Sequence, residues 1–160
     1  MVFLEERKVV KAMKMVNVKR VAEYFLSLVR DDEGDVMTNL KLQKLLYYAQ
    51  GFHLAMFGKP LFDKKIEAWI HGPVVPSMFK RYKEYEHGAI PTVKNDTFSD
   101  IEEDTRALLD EVFQVYGQFS GSALKDIINS EPPFFNTPVR GVIEHEALSE
   151  FFRSKLNTNP

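Results

Sequence analysis

The chain has 160 residues, of which 44% are hydrophobic and 28% charged, with no cysteine. That length suits one compact domain with a real core and leaves too little for two. A formal net charge of −2 excludes the broad positive field on which non-specific binding of nucleic acid or acidic membranes depends, and the missing cysteines exclude disulfides, thiolate nucleophiles and cysteine-based zinc sites.

The N-terminal run MVFLEERKVVKAMKM alternates apolar and charged residues. It holds no apolar stretch long enough for a signal peptide or a membrane span, so a cytoplasmic protein is expected. Met13 and Met15 offer alternative starts, and residues 1–16 are read as an N-terminal extension to a domain covering 17–156. Asn17 stands where a helix N-cap belongs, and Val18, Val21, Ala22, Phe25, Leu26 and Val29 recur on one face behind it. The acidic run Asp31 to Asp35 ends that helix. Thr38 offers a second cap ahead of TNLKLQKLLYYAQGFHLAMFG, a long helix that Gly58 can close in a left-handed conformation.

From Pro60 the helical period is lost, and Ile66, Trp69 and Ile70 suit a short extended piece or hairpin. Pro76 suits the first turn of a helix carrying Met78, Phe79 and Tyr82 inward, ended by Gly88 and Pro91. After a polar loop, Ser99 and Glu102 stand at capping-box spacing, and Ile101, Leu108, Leu109, Val112, Phe113 and Tyr116 line one helical face as far as Gly117. The other face is acidic, with Glu102, Arg106 and Asp110 spaced for i,i+4 pairs. A short helix after Ser122, a connector with Pro132, Pro133 and Pro138, and a last helix with Ala147, Leu148, Phe151 and Phe152 complete the chain. The expectation is a single mainly α domain of about five or six helices, with a short β hairpin as an option near residues 60–71.

The second helix is apolar on two sides. Leu42, Leu45, Leu46, Ala49, Phe52, Met56 and Phe57 form a broad core face, while Leu40, Tyr47, Gly51, Leu54 and Ala55 gather opposite, with Lys44 among them and Lys41 and Tyr48 at the edge. Gly51 and Ala55 are one turn apart and small enough for close approach of another helix. Two readings follow: a central helix covered on both sides by its own domain, or a groove for a partner.

The segments KLQKLLYYAQ at Lys41 to Gln50 and EAW-x-x-GPVVP at Glu67 to Pro76, within a dense match from about Val18 to Tyr85, strongly resemble the SocA-like antitoxin family. That family is also called the Panacea domain and is related to phage-associated GepA-like proteins. From Ser120 onward the likeness is looser: where the family often has a Thr-His pair and a Trp after a Pro, this chain has Ile128, Asn129 and Phe134. The resemblance implies a bacterial or phage protein, in the setting of phage defence, that neutralises a toxin encoded by a neighbouring gene through direct binding, or that delivers the toxin to a cellular protease. It does not imply which toxin.

Position and resemblance together name Lys41, Lys44, Tyr47, Tyr48, Trp69 and His71 as partner-binding residues. Trp69 is the single tryptophan, and its amphipathic ring suits either a partner anchor or a core plug. Gly72 before Pro73 reads as a rigid turn. His53 falls on the apolar face of the long helix and reads as a buried imidazole bonded to a neighbour, while His71, His87 and His145 lack metal spacing. Neither a metal nor a cofactor is expected. With no phosphate-cradling glycine loop, nucleophile elbow or triad motif, the chain is not expected to be an enzyme. The alternative is a phage-associated regulator that binds nucleic acid through FKRYKEY, where Lys80, Arg81 and Lys83 interleave with Tyr82.

Overall fold

The computed structural model describes residues 14–156. The expected N-terminal extension thus lies mostly outside the described residues. Val16 donates its amide to the Leu61 carbonyl at 2.7 Å.

The fold is built around one helix. The first helix, α1 (Val18–Ser27), is capped by Asn17, whose side chain accepts from the Lys19 amide. The second, α2 (Asn39–Phe57), starts at Thr38, which accepts from the Lys41 amide, and stops at Gly58 with φ of 72°. Every residue from Leu42 to Leu54 is buried. An amphipathic stripe would not survive on such a helix, because it has no wet side.

Covering α2 from all directions are α4 (Glu103–Tyr116), α5 (Gly121–Ile128) and α7 (His145–Leu156), with the short α3 (Pro76–Arg81) and α6 (Pro132–Phe135) completing the shell. Of the two sequence readings of its second apolar face, the structure gives the covered one. Helix α7 lies there, and the Phe152 ring fills the space above Gly51. The molecule is therefore a mainly α domain with seven α-helices among the described residues.

The polar residues of α2 bind main chain. Gln43 accepts the Val75 amide at 2.9 Å and donates to Asn39 Oδ1 at 2.9 Å, and Asn39 donates to the Phe79 carbonyl at 3.0 Å. Gln50 accepts the Leu61 amide at 2.7 Å and donates to the Phe62 carbonyl at 2.9 Å. Buried amides satisfied in this way cost little and fix the loops they touch.

The hairpin expected near residues 60–71 is present, with its first strand inside that range and its second just beyond it. Strand β1 (Glu67–Trp69) pairs antiparallel with β2 (Gly72–Val74), with Trp69 opposite Gly72. The segment before it is drawn inward by Gln50, leaving Leu61 and Phe62 buried. Pro73 is tolerated because its partner Ala68 directs both backbone groups to the other side, donating to the Gly141 carbonyl at 2.9 Å and accepting from the Arg140 amide at 2.6 Å.

Three helix boundaries differ from expectation. Helix α4 begins at Glu103, and Glu102 in the cap position makes no side-chain cap bond. The Ser99 capping box does not form because the segment before α4 is held as a loop. Asp96 accepts the Phe98 amide at 2.8 Å, and the Arg20 guanidinium bridges Asp96 at 2.9 Å and Asp100 at 2.7 Å. The carboxyls of Asp96 and Asp100 are lowered by these Arg20 bonds. Asp110 accepts from the Tyr24 hydroxyl at 2.5 Å, tying α4 to α1. Helix α3 ends at Arg81, well before Gly88, and a 3-10 turn over Lys83–Tyr85 follows. Helix α5 is capped by Ser120, whose hydroxyl accepts the Ala123 amide at 3.0 Å, so it starts ahead of Ser122.

Candidate partner-binding site

The six residues singled out in the sequence fall at three depths. Tyr47 and Tyr48 are deepest. Both rings are fully enclosed, and their hydroxyls donate to the two oxygens of Glu131, at 2.9 Å and 3.0 Å. The Tyr48 ring stacks on Tyr116 with centroids 3.7 Å apart. Glu131 is itself buried, and desolvation pushes its carboxyl above the usual carboxylate range against the pull of the two hydroxyls. Burial likewise pushes both tyrosine hydroxyls far above their ordinary value. This triad welds α2 to the start of α6.

Lys41 is half-buried and donates to the Gly117 carbonyl at 2.6 Å, closing the end of α4. Lys44 is 1% exposed. Its ammonium donates to the Leu40 carbonyl of its own helix at 3.3 Å, and among the described residues no carboxylate pairs with it. Desolvation, helped by the nearby charge of Lys125, lowers its value to about 8. The stem of Lys44 runs under Gly72, where φ is +121° and a Cβ would stand 2.9 Å from Lys44 Cε. Both the backbone conformation and the close approach therefore demand glycine at the head of GPVVP.

Trp69 and His71 are at the surface. The Trp69 ring is half-buried, edge-on to Phe79 at 5.2 Å, with the Arg140 guanidinium 4.2 Å above it and its indole N–H donating to Glu67 at 2.9 Å. It is neither fully a core plug nor a free anchor. Arg140 sits in a left-handed conformation with φ of 70°, a conformation costly for a residue with a Cβ and held here by the turn and the cation–π contact. The hairpin turn carries His71 and Ile70, which is 72% exposed, and the turn before Arg140 carries Val139, 65% exposed.

Lys44 and His71 meet at one recess of about 380 Å³, together with Leu40, His87, Gly121 and Lys125. Tyr47, Tyr48 and Trp69 do not line it. Sequence reasoning missed Lys125, His87 and Arg140, which are brought in from distant segments and carry no periodic signal. It missed the start of α5 as well, for which the Ser120 cap was the one available sign.

His53 is buried and its Nδ1 donates to the Lys59 carbonyl at 2.6 Å, while desolvation lowers its value and favours the neutral ring. In FKRYKEY, Tyr82 is buried and Phe79 packs on Trp69, so Lys80, Arg81 and Lys83 stand exposed without the interleaved aromatic platform that the alternative relied on. Among the described residues no helix is long and apolar enough to cross a membrane.

A wrapped central helix, a hairpin lying close over a buried lysine, and a surface recess at the hairpin turn make up a mainly helical scaffold. Comparison with known proteins gives the class a family. The model described as "Antitoxin SocA-like, Panacea domain" matches residues 42–133, more than half of the chain, and the chain belongs to that family. The match runs on to Pro133, well beyond the dense stretch ending near Tyr85 that the sequence itself displays. A curated relative, antitoxin SocA of Caulobacter vibrioides (strain NA1000 / CB15N), is 48% identical over 44 residues, which is 28% of this chain and 23% of that protein. The matched stretch thus spans about a quarter of the curated relative. No solved structure matches the chain.

Proposed function

We propose that this protein is an antitoxin that acts in the cytoplasm, binding a toxin encoded by a neighbouring gene and neutralising it by contact, without catalysis. The observation that carries the reading is membership of the SocA-like antitoxin family across residues 42–133. The arrangement supports it: most of the family segment is used to build a rigid frame, and the frame leaves the hairpin turn with Ile70 and His71, the Val139 turn and the neighbouring recess facing solvent. An exposed aliphatic beside a polar recess and a half-buried tryptophan is the mixture of anchors found at protein interfaces. Of the six residues, Lys44 and His71 then act directly, Trp69 supports the turn with Arg140, and Lys41, Tyr47 and Tyr48 hold the frame from behind.

Co-expression with the neighbouring gene tests this. The neighbour should arrest growth alone, and the pair should grow and co-purify; a neighbour that is harmless alone overturns the reading. Occlusion leaves the toxin's half-life unchanged, whereas delivery to a cellular protease shortens it, and a pulse–chase measurement separates the two.

A further inference from the structure

A protein that buries an ammonium group normally supplies a carboxylate to meet it, because the charge loses its hydration and must regain it from neighbours. Lys44 has no such neighbour among the described residues. Its one protein acceptor is the Leu40 carbonyl at 3.3 Å, at the long end of hydrogen bonding, which leaves two of its three donors for another group. The fold nevertheless holds the side chain in place, with Gly72 kept at φ of +121° so that the lysine stem can pass beneath it.

The recess above Lys44 has the same character. Lys125 lines it and also has no carboxylate partner among the described residues; His71 and His87 line it from the hairpin turn and from the loop after α3. Gly121 and Ser122, the first two residues of α5, form another wall, and their amides belong to the helix end that carries unsatisfied donors and partial positive charge. The carboxylate on the lining is Glu86, which is exposed at the rim. Donors and cations from four separate segments therefore converge on one concavity, and its one lining carboxylate, Glu86, pairs with neither Lys44 nor Lys125.

Resting on the antitoxin reading, we propose that this recess receives a carboxylate of the toxin, an Asp or Glu side chain or a chain terminus, paired with Lys44 and Lys125. A volume of about 380 Å³ holds one side chain. A polynucleotide would need a track of cations for successive phosphates, and here the chain is net negative and Glu86 stands on the lining of the recess. Burial makes the pairing strong in the complex, because the lysine has already lost its water.

Acetate and inorganic phosphate, each at constant ionic strength, are the probes, and NMR of the lysine Cε and histidine ring signals is the readout. Acetate should shift the Lys44 and His71 signals saturably in the wild type; the His71 shift should be lost in Lys44→Met and both shifts in Lys125→Met, the second variant, at a half-buried position, guarding against a folding defect in the first. A response to phosphate without one to acetate, or no saturable shift at all, overturns the proposal. With the toxin, Lys44→Met and Lys125→Met should each weaken binding at least about tenfold, or roughly 1.4 kcal/mol, with Lys80→Met unchanged. If the toxin binds all four proteins equally, the recess assignment fails and the antitoxin reading stands. If the neighbouring product binds none, the antitoxin reading fails, and the assignment of the carboxylate to a toxin falls with it whatever acetate does.

Discussion

The Phe152 ring occupies the space that a side chain at Gly51 would need: a Cβ on Gly51 would stand 2.2 Å from two of its ring carbons. Helix α7 closes on α2 through this contact, and the same ring meets Tyr47, Tyr48 and Phe52. Gly51→Ala should therefore destabilise the protein by about 1–3 kcal/mol through overpacking, although alanine is the better helix former by about 1 kcal/mol. Phe152→Leu in the Gly51→Ala background should recover part of the loss. Urea unfolding of the two variants and the wild type measures both; a more stable Gly51→Ala would contradict the contact.

The Glu131 triad sets a pH dependence. Its carboxyl is raised above the ordinary 4.5, so just above that pH the folded state holds a proton that the unfolded chain has released. Stability then falls as pH rises from about 4.5 through the folded value, and the protonated form is favoured below. Glu131→Gln should lack this component, seen as a flatter curve when unfolding free energy is compared with the wild type between about pH 4 and pH 7. Parallel curves would show that Glu131 titrates as an ordinary acid.

Lys44 contributes with the opposite slope. Its folded value of about 8 lies below the ordinary 10.5, so between these values the unfolded chain binds the proton more readily and stability rises with pH. Below the folded value the full cost is present, at most about 3 kcal/mol. Lys44→Met should thus raise the unfolding free energy of the isolated protein by about 1–3 kcal/mol near neutral pH, with the gain fading as pH rises from about 8 to the ordinary 10.5. A destabilised Lys44→Met across the whole range would place the worth of this side chain in its packing.

Gly72→Ala should lose about 1–3 kcal/mol from its left-handed backbone, plus the clash with the Lys44 stem. In a Lys44→Ala background the clash is absent and only the backbone part remains. A double-mutant cycle by chemical denaturation should show coupling of about 0.5 kcal/mol or more. Strict additivity would mean that the two residues do not sense each other.

Much of the frame is legible in the sequence. Asn17, Thr38 and Gly58 act locally, each on a backbone group within a few residues, so type and position suffice to find them. The hairpin was harder to place, since its register depends on Gln50 pulling in Leu61 and Phe62 and on a ladder partner at Gly141 far along the chain. The capping box at Ser99 fails because Arg20, from another helix, holds Asp96 and Asp100 and keeps that segment as a loop.

The binding residues illustrate the same limit. A helical wheel puts Tyr47 and Tyr48 on a face that looks available, and only the tertiary structure reveals that Glu131 and Phe152 are waiting there. Lys44 and His71 come together at the recess, but Lys125 and His87 reach it from segments whose sequences say nothing of each other.

The carboxamides of Asn39, Gln43 and Gln50 grip peptide groups at Phe79, Val75, Leu61 and Phe62, and so fix the path of the segments that carry the core side chains Val75, Leu61 and Phe62. The turns at Ile70 and Val139 stand outside this grip and face solvent, so a change of side chain there leaves the main-chain anchors of the central helix untouched.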